Sequence, residues 1–179
     1  MSCSSTVKKR LSASTVYVAV GSNKGNRRRN IGTALRLLEE QAGIRLEAAS
    51  PFYETRPEGG PAGQRNYWNG VVRIRTALTS ERLLGILKKV EARVGRRPAD
   101  RWAAREVDLD ILVRGSQVLR KKGLRIPHPR MAQRAFVLRP LADLAPRLRH
   151  PVAGRTVAEL LRCVQASGNA RDQKIADFL

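Results

Sequence analysis

The order in which strand and helix patterns follow one another limits the fold of this chain more than any other feature. Short apolar runs rich in β-branched residues predict strands, and apolar residues at a helical spacing predict helices. The predicted order is strand, helix, strand, strand, helix, strand. The predicted strands are 15–23, 44–55 with a break near Pro51, 68–76 and 107–113. The predicted helices run from Ile31 to a stop at Gly43 and from Thr79 or Ser80 to Gly95. This order contains no Gly-rich dinucleotide-binding fingerprint, and it predicts an α+β fold: a ferredoxin-like sandwich, with helices packed on an antiparallel sheet.

The length of 179 residues fits one domain. We expect a folded domain over 15–165, a disordered basic leader over 1–14 and a C-terminal tail over 166–179. The leader is Ser-rich and free of acids, a composition that also fits a transit peptide. No apolar run reaches the length of a transmembrane helix. Cys3 and Cys163 show no metal-ligand spacing, which favours a reducing compartment and a cytoplasmic protein.

The charge of the chain is strongly positive. Lys and Arg number 35 against 15 Asp and Glu, for a formal net charge of +20. Such a balance suits nucleic acid, an anionic surface or a polyphosphate ligand. A generally basic proteome would produce the same balance with no partner involved, so the charge alone does not choose among these.

Two carboxylates stand on the last predicted strand, in the segment "EVDLDILV". Residues two apart on a strand share a face, so Asp108 and Asp110 project together while Val107, Leu109 and Ile111 fill the other side. Two carboxylates this close repel unless a cation or solvent intervenes, and hard oxygen ligands at this spacing suit Mg²⁺. A bare D-x-D is more often an ordinary solvent-facing strand edge. If the pair faced an empty site, Asn at either position would preserve or raise stability.

Arginines are concentrated just before this carboxylate pair. They are Arg93, Arg96, Arg97, Arg101 and Arg105. Arg binds phosphate in bidentate fashion, and a Mg²⁺ held by Asp bridges phosphate oxygens. The combination predicts a nucleotide polyphosphate site without a P-loop, although some of these arginines would equally serve as solvated surface charges.

At this point the chain resembles a known family, the 6-hydroxymethyl-7,8-dihydropterin pyrophosphokinases. The matching pieces run in order from about Thr15 to about Leu161, and they are "VYVAVGSN", "FYETRP", "YWNGVV", "E-x-x-x-GR", "RW-x-x-R-x-x-DLDIL" and "IPHPRM-x-x-R-x-FVL-x-PL". The resemblance implies an ATP-dependent enzyme of folate biosynthesis. It would transfer pyrophosphate from ATP to the hydroxymethyl group of the pterin and release AMP. The resemblance also implies the ferredoxin-like sandwich.

The resemblance further implies a set of phosphate-binding residues. Asp108 and Asp110 would hold two Mg²⁺ ions, and Arg96 and Arg105 would close over the phosphates as catalytic residues. The implied ATP contacts are Arg105, Ile111, His128 and Arg134.

The pterin would stack between Tyr67 and Phe136, and Asn69 would read its polar edge with one donor and one acceptor. The full set of implied pterin contacts is Thr55, Pro57, Tyr67, Asn69, Trp102 and Phe136. The partners expected from the resemblance are therefore ATP and the pterin, bound by a monomer with no specific nucleic acid. We expect His150 to be structural.

The chain departs from the family pattern at two places. Ala103 and Ala104 stand where the family has Gly-Pro, so the loop before Arg105 lacks a stiffening ring. Glu58 replaces an aliphatic residue and brings a carboxylate to the pterin wall.

The alternative from another class is a basic RNA-binding module with a ferredoxin-like fold. Such modules carry aromatic residues on their strands in a K/R-G-F-x-F pattern, which is absent here. Their function would also leave the two aspartates unexplained.

Overall fold

A computed structural model describes residues 12–59, 61–96, 103–167 and 173–176. Eight strands and four α-helices occur in this part of the chain. In chain order they are β1 (Ser14–Ser22), α1 (Arg27–Glu39), β2 (Ile44–Ala49), β3 (Phe52–Thr55), β4 (Tyr67–Thr76), α2 (Ser80–Val94), β5 (Asp108–Arg114), β6 (Leu119–Lys121), β7 (Leu124–Ile126), α3 (Ala135–Leu144), α4 (Val157–Ala166) and β8 (Gln173–Ala176). The predicted order of the first six patterns is confirmed, with the third divided into two short strands.

The main sheet is antiparallel throughout and has the strand order β5-β1-β4-β3-β8, with β2 also pairing with β4. Strand β4 is long enough to pair with β3 along its first half and with β2 along its second half. Strands β6 and β7 form a separate hairpin. The predicted α+β class with an antiparallel sheet is therefore confirmed.

The break between β2 and β3 lies at Ser50 and Pro51, where the sequence predicted it. The Ser50 side chain accepts a hydrogen bond from the Val71 backbone N–H at 2.9 Å, and the Ser50 N–H donates to the Val71 carbonyl at the same distance. The chain thus crosses from one half of β4 to the other without leaving buried backbone groups unpaired. Gly70 makes room beside this crossing, because a Cβ there would stand 2.7 Å from the Phe52 ring.

Hydrophobic side chains cover both faces of the sheet. On one face, Val16, Val18 and Val20 of β1 pack with the apolar sides of α1 and α2. On the other face, side chains of α3 and α4 pack around Tyr17 and Leu112. Each large apolar side chain that is fully buried contributes roughly 1.5 to 3 kcal/mol. The sheet is therefore held between two helical layers.

The predicted ends of the second helix are confirmed, and α4 also begins at a capping threonine. Thr79 caps α2 by accepting the Arg82 N–H at 3.3 Å. Gly95 ends α2 with a φ of 119°, which a residue with a Cβ adopts only with strain. Thr156 begins α4 in a reciprocal capping box with Glu159.

The two ends of the domain differ in detail from the expected boundaries. β1 begins at Ser14, whose hydroxyl accepts a hydrogen bond from the buried Arg114 side chain at 2.8 Å. Strand β8 lies within the segment 166–179 and pairs with β3; nothing in the short run "QKIA" predicts a strand. No helix among the described residues is long and apolar enough to cross a membrane.

His150 is buried in the turn that leads to α4, in the structural position expected of it. Its Nδ1 atom accepts hydrogen bonds from the backbone N–H groups of Val152 and Ala153, at 3.2 and 3.0 Å. Burial lowers the pKa of His150 below its ordinary value of 6.5. A proton on Nδ1 would also break both hydrogen bonds.

The first prediction concerns the pH dependence of stability. Because the unfolded chain binds a proton at His150 more readily than the folded chain, stability is greatest above pH 6.5 and falls as the pH is lowered from there. In His150→Asn the amide oxygen replaces Nδ1 as acceptor. We therefore expect a shallower fall between pH 7 and 5, by up to about 1.4 kcal/mol per pH unit. Denaturant unfolding at a series of pH values measures both slopes, and equal slopes would contradict the prediction.

Candidate active site

Asp108 and Asp110 lie on β5, opposite Gly21 and Ala19 of β1. Their side chains are 25% and 44% exposed. The alternate residues Val107, Leu109 and Ile111 are buried in the core on the opposite face. The predicted shared face of the two carboxylates is thus confirmed.

Asp108 is bound by two arginines. Arg96 donates to its Oδ1 atom at 2.6 Å, and Arg105 donates to its Oδ2 atom at 2.7 Å. Lys88 stands 4.0 Å from Asp110. The expectation that Asn would preserve or raise stability at either position needs correction for Asp108, because this carboxylate faces two guanidinium groups and not an empty site.

Glu91 of α2 contacts both β5 and the cations beside the aspartates. Its side chain is only 2% exposed, and it forms ion pairs with Arg96 and Lys88. One of its oxygens also accepts the backbone N–H of Leu109 at 2.8 Å. Because β5 is the edge strand of the sheet, that N–H has no strand partner on its outer side. Glu91 therefore fixes both the strand that carries the aspartates and the arginine that binds one of them.

Asn23, at the end of β1, connects the two loops beside the carboxylates. Its side chain donates to Gln64 at 3.0 Å and accepts the backbone N–H of Arg105 at 2.8 Å. The backbone N–H groups of Asn23 and Lys24 both donate to the Arg105 carbonyl at 3.1 Å. The loop that follows β3 and the loop that precedes β5 are thus attached to one buried amide.

A cavity of about 230 Å³ opens between these loops and the sheet. Ten of the thirteen predicted site residues line it: Thr55, Pro57, Tyr67, Asn69, Arg105, Asp108, Asp110, His128, Arg134 and Phe136. Its wall also includes Ala19, Gly21, Arg56, Glu58, Gly59, Gln64, Leu112 and Val137. The structure therefore brings the two aspartates, the cationic side chains and the two aromatic rings to one place.

The amide of Asn69 has a defined orientation in this cavity. Its nitrogen donates to the Thr55 hydroxyl at 2.7 Å, which leaves the amide oxygen on the other side. A Cβ at the facing Gly21 would stand 2.7 Å from that oxygen and 3.7 Å from the Tyr67 ring. Only glycine at position 21 leaves space for the amide. Burial raises the pKa of the Tyr67 phenol, so this ring is neutral at physiological pH.

His128 occupies the opposite wall, where its backbone N–H donates to the Leu112 carbonyl at 2.8 Å. Its Nδ1 atom accepts the Arg130 N–H at 3.3 Å, which assigns the proton of the neutral ring to Nε2. Burial lowers the pKa of His128, and nearby Arg134 and Arg130 lower it further against the opposing effect of Asp110. The ring is therefore a neutral donor at physiological pH.

A second cavity, of about 280 Å³, lies on the other side of Asp110 and His128. Its lining consists of Leu84, Asp110, Ile111, Gly123, Leu124, Arg125, His128 and Pro129. The two cavities share Asp110 and His128, so one elongated ligand can reach from the apolar second cavity to the carboxylates. Ile111, an implied ATP contact, lies here and not in the first cavity.

Arg96, another predicted site residue, does not line the first cavity and contacts Asp108 through an ion pair. Trp102 lies outside the described residues.

Sequence reasoning assigned no role to Asn23 and Glu91, although both belong to quoted motifs. Asn23 ends "VYVAVGSN", and Glu91 begins "E-x-x-x-GR". The available signals were the position of Asn23 at the end of a buried strand and that of Glu91 one helical turn before a Gly-Arg pair. Neither signal identified the contact, because the partners lie 82 and 18 residues away along the chain.

An α+β sandwich with one cavity that joins paired carboxylates, arginines and aromatic rings has the features of a phosphate-handling enzyme. The comparisons with known proteins agree. Residues 17–146 match the model of the 7,8-dihydro-6-hydroxymethylpterin-pyrophosphokinase family. The chain therefore belongs to this family of ATP-dependent diphosphokinases, and the RNA-binding alternative is not favoured.

Two relatives illustrate the similarity in sequence. The 2-amino-4-hydroxy-6-hydroxymethyldihydropteridine pyrophosphokinase of Pseudomonas aeruginosa is 46% identical over 156 residues, which is 87% of this chain and 95% of the relative. The enzyme of the same name from Aquifex aeolicus is 38% identical over 145 residues, which is 81% of this chain and 89% of the relative. The alignments thus extend over most of both proteins.

A solved structure supports the fold. The HPPK-DHPS triple mutant S436F/A437G/A613S of Plasmodium falciparum, with SDX-DHP, matches with a TM-score of 0.76 at 16% identity. The match covers 93% of this chain and 48% of the Plasmodium chain, so this chain spans about half of that protein. At this identity the likeness concerns the fold alone, and the predicted ferredoxin-like sandwich is confirmed.

The second prediction concerns Asn23. Asn23→Ala removes the acceptor of the Arg105 N–H and the donor to Gln64. We expect a loss of about 1 to 3 kcal/mol of stability, and faster hydrogen exchange in both 61–66 and 103–106. The measurements are denaturant unfolding and amide exchange.

A matched control is Gln41→Ala, which removes one side-chain hydrogen bond to the Leu37 carbonyl at the end of α1. It should leave both loops unchanged. Faster exchange in only one loop of the Asn23 variant would show that this amide does not connect the two.

Proposed function

We propose that this chain transfers pyrophosphate from ATP to the hydroxymethyl group of 6-hydroxymethyl-7,8-dihydropterin and releases AMP, in folate biosynthesis. Family membership supports this reaction. The observation that carries the proposal is the single cavity lined by Tyr67, Asn69 and Phe136 together with the two aspartates, His128 and Arg134. In the reaction the hydroxymethyl oxygen bonds to the β-phosphorus, and the bond from that phosphorus to the oxygen bridging to AMP breaks.

The cationic side chains bind and orient the phosphates in this proposal. Arg105 and Arg134 line the cavity, and neutral His128 can donate from Nε2 to a phosphate oxygen. Phosphoryl transfer requires mainly positioning and neutralisation of charge on the phosphate oxygens. Arg96 and Arg105 would turn from Asp108 to the phosphates when the nucleotide binds.

The donor set fits Mg²⁺. Asp108 and Asp110 supply carboxylate oxygens on one strand face, and among the described residues no group of three or more His, Cys, Asp and Glu side chains could hold a metal. Two protein carboxylates, with the remaining positions left to water and phosphate, are typical of Mg²⁺. We propose that these two side chains hold two Mg²⁺ ions. When bound, the ions would neutralise phosphate charge and favour attack by the hydroxyl.

The pterin occupies the end of the cavity away from the aspartates in this proposal, stacked between Tyr67 and Phe136. Asn69 presents its amide to the polar edge of the ring, since Thr55 and Gly21 determine its orientation. Thr55 and Pro57 form the adjoining wall. Trp102 remains a proposed cover for this end.

The nucleoside of ATP occupies the second cavity in this proposal. Ile111 and Leu84 supply apolar contacts there, and Arg125 lies at its rim. The phosphates would then pass Asp110 and His128 into the first cavity, because both side chains line both cavities. This path orders the substrates so that the β-phosphorus meets the hydroxymethyl group at the carboxylates.

The two loops joined by Asn23 would exclude water from the reacting groups. One attachment connects the loop that carries Gln64 to the loop that carries Arg105. Movement of either loop is therefore transmitted to the other, and both loops close when ATP and the pterin are bound together.

We further propose that one chain suffices for activity, because every group named here comes from a single chain. The cytoplasm is the proposed location, in line with two cysteines that lack metal spacing. The surplus positive charge is not proposed to bind a specific nucleic acid: Arg28, Arg29 and Lys122 are exposed and do not line either cavity.

The reaction is tested by following AMP. Purified protein with Mg²⁺ and ATP should form AMP only when 6-hydroxymethyl-7,8-dihydropterin is present, in equal amounts with the diphosphorylated pterin. A dihydropterin that lacks the hydroxyl should bind and yield no AMP. AMP formation at the same rate without any pterin would contradict the proposed function.

The third prediction concerns the aspartates. Asp108→Asn and Asp110→Asn keep the size of the side chain and remove the charge that a hard cation needs. Turnover should therefore fall by orders of magnitude in both variants. Each factor of ten corresponds to about 1.4 kcal/mol of transition-state stabilisation. Asp108→Asn should also lose about 1 to 3 kcal/mol of stability, since Arg105 loses its carboxylate partner and Arg96 keeps only Glu91. Asp110→Asn should change stability by less than about 0.5 kcal/mol.

Steady-state turnover and denaturant unfolding of each variant provide the two measurements. Asp143→Asn is a useful control for loss of a carboxylate, since Asp143 accepts a hydrogen bond from Tyr53 and does not line either cavity. Normal turnover in either Asp108→Asn or Asp110→Asn would show that the pair is structural.

A further inference from the structure

An ion pair connects two walls of the first cavity. Glu58 belongs to the loop that follows β3, and Arg134 directly precedes α3. The Glu58 Oε2 atom lies 3.3 Å from Arg134 Nε, and both residues line the cavity. This contact joins the loop beside the proposed pterin site to a cation of the proposed phosphate site.

Local backbone features direct Glu58 toward its partner. Pro57 has a restricted φ, and Gly59 has a φ of 82°, in the left-handed region that favours glycine. The chain therefore turns at Glu58. The Glu58 side chain is 50% exposed, whereas that of Arg134 is 19% exposed and its guanidinium lies 5.3 Å from the centre of the Phe136 ring. Arg134 is the better held member of the pair.

The charge of the cavity makes this contact relevant to an anionic ligand. Arg105, another cation of the wall, is engaged by Asp108, and Arg134 is engaged by Glu58. A polyphosphate that enters must compete with a carboxylate for each of them. Asp108 belongs to the edge strand β5, whereas Glu58 belongs to a loop and pairs with Arg134.

We propose that Glu58 is a positioning residue that competes with the nucleotide's phosphates for Arg134. Without nucleotide it holds Arg134 and attaches the pterin-side loop across the cavity. When the phosphates bind Arg134, the Glu58 carboxylate is released and the loop is detached from that wall. This rests on the phosphate-binding role given to Arg134 in the proposed function.

The size of the effect follows from the exposure of the pair. Exposed ion pairs are weak, so their loss changes a binding constant by a small factor. Glu58→Gln keeps the length and shape of the side chain and removes its charge. The nucleotide no longer has to displace a carboxylate, and its affinity should rise roughly two- to fivefold.

The experiment is a double-mutant cycle measured by calorimetry. The probe is α,β-methylene-ATP with Mg²⁺, in which the bond broken by the reaction is replaced by one that does not cleave. The proteins are wild type, Glu58→Gln, Arg134→Met and the double variant. Glu40→Gln is the matched control, because Glu40 is an exposed carboxylate that pairs with Arg36 of α1 and lines neither cavity.

Glu58→Gln should bind the probe two- to fivefold more tightly than wild type, and the same change should have no effect in the Arg134→Met background. Glu40→Gln should bind as wild type does. If Arg134→Met unfolds, Arg134→Gln takes its place in the cycle, since it also removes the charge that pairs with Glu58. Hydrogen exchange of 61–66 should become faster on addition of the probe to wild type, and should already be fast in Glu58→Gln.

Equal tightening by Glu58→Gln in both backgrounds would overturn the proposal, because the effect would then be one of net charge. Unchanged affinity in Glu58→Gln would also overturn it. If Arg134→Met binds the probe as tightly as wild type, the role of Arg134 in phosphate binding fails, and this inference fails with it. In that case AMP formation from ATP and the hydroxymethyl pterin still tests the proposed function separately.

Discussion

The buried carboxylate of Glu91 is the contact on which the geometry of the site depends. It accepts the Leu109 N–H of the edge strand, and it binds Arg96, which in turn binds Asp108. A charge this deeply buried is costly unless it is paired and hydrogen-bonded, and here Lys88 and Arg96 both form ion pairs with it. The helix, the strand and the arginine are consequently held in one relative position. The aspartates receive their location from this network and not from the strand alone.

The two loops contribute a different kind of constraint. Asn23 holds both through hydrogen bonds to Gln64 and Arg105, and such contacts can be broken at much lower cost than the core can be deformed. The rigid parts of the site therefore carry the aspartates and Asn69, while the adjustable parts carry Arg105 and Glu58. This division matches what a reaction between two large substrates needs: fixed reacting groups and walls that open for entry.

Local pattern was sufficient to predict most of the fold. The alternation of Val72 and Ile74 with arginines, and the helical spacing of Leu83 and Leu87, correspond to strong physical preferences of strands and helices. Strand β8 escaped prediction because its pairing with β3 is a long-range contact that a run of four residues does not encode. Most of the predicted residues that line the first cavity were taken from the family resemblance. The contacts made by Asn23, Glu91 and Glu58 did not, because each depends on a partner brought close only by folding.

The paired aspartates of this very basic chain can now be understood in terms of charge balance. Without Asp108, Arg96 and Arg105 would lack the carboxylate that lies between them, and Arg105 would lose its ionic attachment to β5. With Asp108, the arginines are held beside the cavity, each engaged by an oxygen that a metal-bound phosphate can replace. The net charge of +20 is therefore a property of the surface, whereas the cations of the site are paired with the carboxylates of Asp108 and Glu91. When a polyphosphate binds, each arginine exchanges a carboxylate oxygen for a phosphate oxygen. No charge therefore has to be buried without a partner during binding.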